Sequence, residues 1–275
     1  MEKAKEKARI LVEAINYINK FEGKTVVVKY GGNAMENEEL KEAVFTDISM
    51  LSQLGMKIVV VHGGGHEIDA EMKKAGIEKR VVDGLRVTDE PTLRIVEKTL
   101  KRLNRECAGI LEKTGARAKD CTKNLLETRI KDERLGYVGE VVRVDKEKLL
   151  KKLKRGVIPV VSSIGKDGNG HATNINADEA ATRIAIALKA EKLVMLTNVD
   201  GIFLNGELLP RMVISDAERH IKSGAIKGGM IPKVKACVDA VSHGVKKVHL
   251  INGTVERALL IEIFTDKGIG TEIVK

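Results

Sequence analysis

The sequence predicts an α/β fold with a mostly parallel sheet that helices cover on both faces. Short β-branched runs alternate with helical segments of ten or more residues, which is the pattern of parallel strands joined by crossover helices. Three strand ends also run into glycine, in VVVKYGGNAM, IVVVHGGGHE and VVSSIGKDGNG. A chain of 275 residues is long enough to bury a full core, in one large domain or in two packed lobes.

Hydrophobic periodicity places the elements in order. The first half is predicted to contain an amphipathic helix at 3–20, a strand at 25–32, a helix at 38–54, a strand at 58–61 followed by three glycines and a helix, a turn-rich hairpin at 81–91, and a long helix near 91–113. Residues 116–144 alternate apolar and polar positions around the turn GYVGE, which is typical of antiparallel strands at a sheet edge.

The second half continues the alternation. It is predicted to contain a helix at 146–154, a strand followed by a loop at 157–165, a helix at 177–189, a strand at 192–203, helices near 215–223 and 231–243, a strand at 246–253, and a closing segment at 264–273. One set of glycine-rich loops precedes residue 175 and a second set follows it, so we expect a boundary between two lobes near residue 175.

Composition argues against nucleic-acid and membrane binding. The net charge is +9, but lysines and glutamates are interleaved, and only KKLKR at 151–155 forms a basic run. Aromatic residues are 3% of the chain, so platforms for base stacking are scarce. No apolar run approaches the roughly 20 residues needed to span a bilayer. A positive field equally attracts anionic metabolites, including nucleotides.

The termini and cysteines favour a cytoplasmic protein. The N-terminus, MEKAKEKARI, alternates charges and lacks the apolar region of a signal peptide. The three cysteines, Cys107, Cys121 and Cys237, are far apart and form no C-x-x-C pair. We therefore expect them to be reduced and packed rather than reactive.

The glycine-rich strand ends predict a cradle for an anion. Ligands of parallel α/β sheets lie beyond the carboxyl ends of the strands, where these loops converge. Glycine lets a phosphate or carboxylate approach backbone N–H groups at the start of the following helix. One such loop would be explained by a simple chain turn, but three loops, one of them preceded by a lysine, favour anion binding.

Three charged residues accompany these loops. Lys29 lies at the end of an apolar strand beside Gly31 and Gly32, where a lysine needs an anionic partner. Asp178 follows NIN at a helix start, a position that the helix dipole alone would explain. Lys233 lies early in a helix after a glycine pair, which the dipole disfavours, so either it is solvated or an anion lies nearby.

Familiar nucleotide and metal motifs are absent from the sequence. It contains no G-x-x-x-x-G-K-[ST], and its glycines do not fit G-x-G-x-x-G, so neither a P-loop nor a Rossmann site is predicted. His62, His66 and Glu67 imitate part of a zinc site, but the glycines between the histidines prevent a shared helical face. We predict no metal site made by the protein.

An ordered set of motifs resembles the acetylglutamate kinases of the amino-acid kinase family. The set is KYGGN, HGGGHEID, GLRVTD, VVSSIG, NINADEAA, LTNVDGI and GGMIPK, and it covers the chain from Thr25 onward. The resemblance implies a three-layer αβα sandwich around a mainly parallel sheet, with two lobes. It implies an oligomerisation helix at 1–20, an acetylglutamate-binding lobe at 21–175, and an ATP-binding lobe at 176–275 that ends in an arginine-site segment.

The resemblance also implies roles for individual residues. Lys29 and Lys233 would stabilise the phosphoryl transition state, and Asp178 would orient both ammonium groups. The residues implied to contact acetylglutamate are Gly64, Gly65, Arg86 and Asn174. Those implied to hold the phosphates or the nucleotide are Gly31, Gly32, Gly64, Asn198, Gly201, Phe203, Ala225 and Lys227. Asn198 departs from the aspartate that is common in the family's LTDVDG motif.

Chemistry agrees with these implied roles. The side-chain carboxylate of acetylglutamate has a pKa of about 4 and is ionised at neutral pH, so no general base is required. Two anions must approach each other, and catalysis is expected from positioning and charge neutralisation by lysines, backbone N–H groups and Mg²⁺ held on the ATP phosphates. A planar guanidinium suits a carboxylate, which supports Arg86 as the substrate anchor.

Other functions remain open at this point. A kinase of the same fold could act on a related acyl amino acid such as carrier-protein-bound aminoadipate, although GLRVTD favours free acetylglutamate. A non-catalytic amino-acid-binding regulator would be expected to lack Lys29, Asp178 or Lys233, and all three are present.

The two ends of the chain resemble the arginine-sensitive branch of the family. An extra helix precedes the first strand and carries Tyr17, and RALLIEIFTDKGIGTEI at 257–273 resembles the branch's closing signature. The resemblance implies a dimer-based hexamer inhibited by L-arginine, with the effector held by Tyr17, His249, Glu262 and Gly268. The alternative is a helix that merely caps the domain, with Glu262 solvated.

Overall fold

The computed structural model describes residues 1–35, 37–265 and 268–275, without the side chains of residues 3, 4, 7, 10, 11, 13, 33 and 34. The helices are α1 (Glu2–Phe21), α2 (Glu38–Gln53), α3 (Gly65–Lys74), α4 (Glu90–Lys113), α5 (Lys146–Leu153), α6 (Ala177–Leu188), α7 (Ile214–Lys222), α8 (Met230–Ser242) and α9 (Ala258–Phe264). Within the described ranges, no helix is both long enough and apolar enough to cross a bilayer.

The strands are mostly short. They are β1 (Thr25–Tyr30), β2 (Lys57–His62), β3 (Val81–Val82), β4 (Leu85–Arg86), β5 (Ala118–Asp120), β6 (Leu126–Ile130), β7 (Gly139–Val144), β8 (Ile158–Ser162), β9 (Ile164–Asp167), β10 (Ala172–Asn174), β11 (Lys192–Thr197), β12 (Phe203–Leu204), β13 (Glu207–Leu208), β14 (Arg211–Val213), β15 (Lys247–Asn252) and β16 (Thr271–Val274).

A mainly parallel sheet forms the centre of the molecule. Across the described residues its eight strands run in the order β14-β16-β15-β11-β1-β2-β8-β5, and the pairing of β15 with β16 is antiparallel. Val26 and Val28 of β1 pack into the core on one face, and Val27 packs into the core on the other. The predicted α/β fold with helices on both faces is confirmed.

Helices α4 and α6 have well-defined N-caps. The Asp89 carboxylate accepts the Thr92 N–H at 3.0 Å at the start of α4, where Pro91 fits the first turn. The Asn176 side chain accepts the N–H of Asp178 at 2.8 Å at the start of α6. The second cap fixes the backbone of Asp178 in the first turn of α6.

The prediction for residues 116–144 was wrong in part. Strand β5 pairs in parallel with β8 and forms the edge of the main sheet. Strands β6 and β7 do pair antiparallel, but in a second sheet of order β10-β9-β6-β7. Alternation of apolar residues shows that a strand is half buried and does not reveal which sheet it joins.

Several further elements were not predicted, among them a strand after β8 and a helix after β15. The segment expected to be a loop after β8 forms β9, and an added Cβ at Gly165 would lie 2.5 Å from Thr128 Cγ2 of the neighbouring strand. This glycine therefore permits close strand packing, whereas the sequence pattern indicated a loop. Helix α9 was also missed, and the expected closing segment contains residues 266 and 267, which lie outside the described residues.

The predicted lobe boundary at 175/176 falls between β10 and α6. Because β1 pairs with β2 on one side and with β11 on the other, one sheet continues through both segments. The three-part division into 1–20, 21–175 and 176–275 stays a prediction.

The expectation for the cysteines is confirmed. Cys107, Cys121 and Cys237 are all buried and none forms a disulfide. Burial raises the pKa of each thiol, in the case of Cys107 to about 12, so the reactive thiolate is suppressed.

Candidate active site

Two adjoining cavities open at the carboxyl edge of the main sheet. The first has a volume of about 300 Å³ and is lined by the glycines after β2, by Arg86 and by Asn174. The second has a volume of about 350 Å³ and is lined by Asn198 and by the start of α8. Lys29 and Gly32 line both cavities and therefore mark the point where the cavities meet.

A carboxylate lies between two ammonium groups at this junction. Asp178 Oδ1 lies 3.0 Å from Lys29 Nζ, and Asp178 Oδ2 lies 2.7 Å from Lys233 Nζ. The three residues come from β1, α6 and α8, so the fold unites groups that are more than 200 residues apart in sequence. An ordinary helix-dipole role for Asp178 does not explain both contacts.

The two lysines keep Asp178 ionised. Burial favours the neutral acid, but the charges of Lys29 and Lys233 and their hydrogen bonds outweigh it, and the pKa of Asp178 falls well below its usual range. Asp178 therefore holds two cations and is not available as a proton donor at neutral pH.

The glycines after β1 allow close approach of neighbouring groups. Gly32 has φ +76°, and an added Cβ would lie 2.2 Å from Asn198 Oδ1. At Gly31 an added Cβ would lie 3.0 Å from Lys29 Nζ. A side chain at Gly32 would therefore clash with Asn198, and one at Gly31 would crowd the Lys29 ammonium group.

The glycines after β2 place bare backbone against the first cavity. Gly64 caps α3, and an added Cβ there would lie 2.6 Å from Leu103 Cδ1 of helix α4. Gly65 begins α3 and also lines the cavity. N–H groups in a first helical turn lack intrahelical partners, so they are free to bind an anion in the cavity.

Arg86 is fixed on the wall of the first cavity. Its guanidinium forms an ion pair with Asp69 and donates hydrogen bonds to Gly65 O at 3.1 Å and to Met72 Sδ at 3.1 Å. Lys79 Nζ lies 2.7 Å from the other oxygen of the Asp69 carboxylate. Asp69 was not singled out in the sequence, because an acidic residue on a helix ordinarily indicates a solvated face.

Asn174 lies on the same cavity wall. Its Nδ2 donates to Thr88 Oγ1 at 3.0 Å, and its backbone N–H donates to Tyr137 O at 2.9 Å. Thr88 is fully buried within the GLRVTD motif, and sequence analysis gave it no role of its own.

The predicted nucleotide residues are only partly brought together. Gly32 and Asn198 line the second cavity, whereas Gly31 lines the first. Gly201 is buried, and an added Cβ would lie 2.6 Å from Thr271 Oγ1 of β16. The other three predicted residues are exposed outside the lining of that cavity, in the β12–β13 hairpin and between α7 and α8; they are Phe203, Ala225 and Lys227.

The donor set of the two cavities suits anions rather than a directly bound metal. Among the described residues, no group of three or more His, Cys, Asp or Glu side chains could hold a metal ion. Asp178 is the one carboxylate in the two linings, and both of its oxygens are engaged by lysines. A magnesium ion that arrives on nucleotide phosphates fits this arrangement, since its ligands would be the phosphates.

Comparison with known proteins identifies the family. The Amino acid kinase family matches residues 24–252. Acetylglutamate kinase from Pelobacter propionicus is 47% identical to this chain, and the match covers 100% of both chains. Acetylglutamate kinase from Synechococcus elongatus is 48% identical over 98% of this chain and 93% of the relative.

The chain belongs to the acetylglutamate kinases of the amino acid kinase family. It is therefore an ATP-using kinase, and the family resemblance seen in the motifs is confirmed.

Solved structures agree with the fold. N-acetylglutamate synthase from Neisseria gonorrhoeae, complexed with coenzyme A and N-acetyl-glutamate, superposes with a TM-score of 0.87 at 30% identity. The match covers 98% of this chain, which spans 63% of the length of that protein. Carbamate kinase from Giardia lamblia, at 19% identity and a TM-score of 0.71, shares the fold.

A separate, larger cavity contains the predicted effector residues. It has a volume of about 630 Å³, and its lining includes all four of them: Tyr17, His249, Glu262 and Gly268. Glu262 is buried, forms a hydrogen bond with His249 Nδ1 and accepts the Ile269 N–H at 3.1 Å. Burial opposes ionisation of Glu262, but the His249 hydrogen bond and nearby charges hold the pKa of Glu262 below its usual value.

Other charged groups in this cavity were missed by the sequence analysis. Glu191 and Glu272 add carboxylates, and Lys192 adds a buried ammonium group that lies 4.9 Å from the centre of the Phe21 ring. Gly268 has φ +58°, and an added Cβ would lie 2.5 Å from Glu262 Oε2. The wall beside Glu262 therefore requires a residue without a side chain.

Proposed function

We propose that the chain transfers the γ-phosphoryl group of ATP to the side-chain carboxylate of N-acetyl-L-glutamate. The product would be N-acetyl-L-glutamyl 5-phosphate, an intermediate of arginine biosynthesis. The observation that carries the proposal is the Lys29–Asp178–Lys233 cluster at the junction of the two cavities. Two fixed cations between two binding cavities are suited to a reaction in which two anions must meet.

The first cavity supports binding of an acyl amino acid. Arg86 would bind the α-carboxylate through a planar fork, and Asn174 would hydrogen-bond the substrate near its α-carbon. The N–H groups of Gly64 and Gly65 would meet the substrate, and that of Gly64 would also meet the transferring phosphate, close to the lysines. In this arrangement the reacting carboxylate would face the second cavity.

The second cavity supports binding of the ATP phosphates. Gly32 and Asn198 line this cavity together with Lys29, and Gly31 lines the first cavity beside Lys29. The N–H groups of Gly31 and Gly32 and the side chain of Asn198 would bind the phosphates. The buried Gly201 and the exposed residues Phe203, Ala225 and Lys227 would hold the rest of the nucleotide.

The mechanism needs charge neutralisation and no base. The attacking carboxylate has a pKa of about 4 and is already ionised at neutral pH. Lys29 and Lys233 would stabilise the charge on the transferring phosphoryl group, while Asp178 keeps both ammonium groups in place. Magnesium held on the nucleotide phosphates would supply further positive charge.

Trapping of the acyl phosphate tests this function. The chain is incubated with ATP, Mg²⁺ and hydroxylamine, and hydroxamate is measured with acetylglutamate, glutamate, aspartate or carbamate as the acceptor. We expect hydroxamate chiefly from acetylglutamate. Preference for another acceptor, including carrier-bound aminoadipate in a parallel assay, would support the same-fold alternative, and no product from any acceptor would favour a non-catalytic regulator.

We also propose that L-arginine binds the larger cavity and inhibits the enzyme within a hexamer. The Glu262, Glu191 and Glu272 carboxylates suit a guanidinium, and Lys192 offers a cation for a carboxylate. Tyr17 and Lys20 of α1 form one wall of the cavity, so the helix and the cavity are physically linked. Val12 and Ile15 of α1 are 62% and 53% exposed, which suits burial against a second subunit.

Deletion of residues 1–20 tests this regulation. We expect dimers that retain kinase activity and lose arginine inhibition, because the cavity would lose its α1 wall. Activity with and without arginine, together with the mass in solution, is measured for both forms. A full-length dimer whose rate is unchanged by millimolar arginine would contradict the regulatory proposal and leave the kinase proposal standing.

A further inference from the structure

We infer that Thr88 is a positioning residue that turns the Asn174 amide so that its oxygen faces the acceptor substrate. Thr88 is fully buried and does not line the cavity, whereas Asn174 does. The inference rests on the proposed function, since it concerns the same acceptor site. The inference also states which substrate this part of the cavity accepts, namely one that carries an N–H group on its α-carbon.

The direction of the hydrogen bonds follows from the Thr88 hydroxyl. Thr88 Oγ1 lies 3.0 Å from Arg86 O, and a carbonyl oxygen can only accept, so the single hydroxyl hydrogen is donated there. The hydroxyl oxygen can then only accept from Asn174, whose Nδ2 lies 3.0 Å away. The amide therefore keeps its nitrogen toward Thr88.

This leaves Asn174 Oδ1 on the other branch of the amide, and Asn174 lines the cavity whereas Thr88 does not. An amide oxygen accepts an N–H, such as that of an acetamido group, and repels the lone pairs of an ester oxygen. The opposite amide orientation would present a donor and favour an oxygen acceptor. Thr88 thus selects a substrate that donates an N–H over one that offers an oxygen. Its hydrogen bond to Arg86 O also links Arg86 and Asn174, the two side chains proposed to bind the substrate.

The backbone around Thr88 is held independently of its side chain. Thr88 N–H donates to Leu135 O at 2.8 Å, and Tyr137 N–H donates to Thr88 O at 2.7 Å. Gly136 lies between these bonds at φ +66°, and an added Cβ would lie 2.4 Å from Thr88 O. Replacement of Thr88 by valine, which has nearly the same shape, should therefore remove both side-chain hydrogen bonds without moving the chain.

The test compares two acceptors in three proteins. The acceptors are acetylglutamate and 2-acetoxyglutarate, the ester in which oxygen replaces the amide N–H, and the proteins are wild type, Thr88→Ser and Thr88→Val. We expect wild type and Thr88→Ser to prefer acetylglutamate by at least about tenfold in kcat/KM, because the ester leaves Asn174 Oδ1 unpaired. We expect Thr88→Val to lose most of this preference and to raise the acetylglutamate KM with the ATP KM unchanged.

Calorimetric binding of both acceptors to the same proteins gives a second readout that does not need turnover. The inference would be overturned if Thr88→Val kept the full preference for acetylglutamate over the ester. It would also be overturned if wild type showed nearly equal kcat/KM and nearly equal affinity for the two acceptors. Absence of acyl phosphate from wild type with acetylglutamate would instead overturn the proposed function. Circular dichroism of Thr88→Val checks that the fold is intact.

Discussion

Replacement of Asp178 by asparagine isolates the carboxylate that lies between the two lysines. The side chain keeps its shape and its place at the start of α6, but the counter-charge 3.0 Å from Lys29 and 2.7 Å from Lys233 disappears. Two ammonium groups that both contact one carboxylate are close enough to repel each other by a few kcal/mol, since two unit charges about 4 Å apart interact by about 4 kcal/mol at an effective dielectric constant of about 20. We expect them to separate and leave the point where the two cavities meet.

Two magnitudes follow from this geometry. Loss of one positioned cation should lower kcat by about 10²-fold or more, which corresponds to about 2.7 kcal/mol of transition-state stabilisation. The free energy of unfolding should fall by about 3 kcal/mol, at the lower end of the range for breaking a buried ion pair. The lower end applies because the Lys233 side chain is 28% exposed and can turn to solvent, whereas Lys29 is 10% exposed and cannot.

The assay is steady-state acyl-phosphate formation, with urea unfolding measured in parallel. Glu179→Gln is the matched control, because Glu179 is the next residue and makes the same change from carboxylate to amide. Its carboxylate contacts Lys131 and the Val141 N–H and does not line either cavity. The reasoning is refuted if Asp178→Asn folds and keeps a kcat within threefold of wild type, or if Glu179→Gln loses as much activity.

Four other substitutions and one change of pH have defined outcomes. Lys29→Ala and Lys233→Ala should each lower kcat by about 10²-fold or more with the fold intact, and near-normal turnover in either variant would remove that lysine from the mechanism. Arg86→Lys should raise the acetylglutamate KM far more than the ATP KM, because a point charge replaces a planar fork. Asp69→Asn should raise the acetylglutamate KM in the same way but more weakly. Equal effects on the KM of both substrates would place Arg86 outside the acceptor site. Because the pKa of Asp178 is lowered by folding, its contribution to stability should be constant from about pH 5 to 8 and be lost progressively below about pH 4. The difference in unfolding free energy between wild type and Asp178→Asn should therefore shrink in acid. A constant difference down to about pH 2 would contradict the ion-pair explanation.

Local sequence patterns were sufficient to predict the parallel sheet and the glycine-rich edge. The strand TVVVKY is β-branched and almost wholly buried, and glycines at 31–32 and 63–65 follow strands that proved to be neighbours. Such signals lie within a few residues of one another, so periodicity can detect them. Strand β9 was missed because Gly165 permits close packing against β6, and a sequence pattern cannot distinguish such a glycine from one in a loop.

The site depends on contacts that no local pattern contains. Asp178 alone would be explained as a helix-start charge, and only its pairing with Lys29 and Lys233 in space distinguishes it. Asp69 has an ordinary place on an amphipathic helix, and its role depends on Arg86, 17 residues later in the sequence and beside it in the fold. The effector residues were named from resemblance, because no spacing rule relates Tyr17 to Glu262.

The architecture separates the residues proposed to choose the acceptor from those proposed to transfer the phosphoryl group. Arg86 lies on the β3–β4 hairpin and Asn174 lies on the second sheet, whereas Lys29 lies in the central strand of the main sheet. Mutations in the hairpin and the second sheet can therefore alter substrate choice without disturbing the strand that carries Lys29. An ancestral kinase with this layout could diversify through its outer strands while its central strands stayed under constant selection.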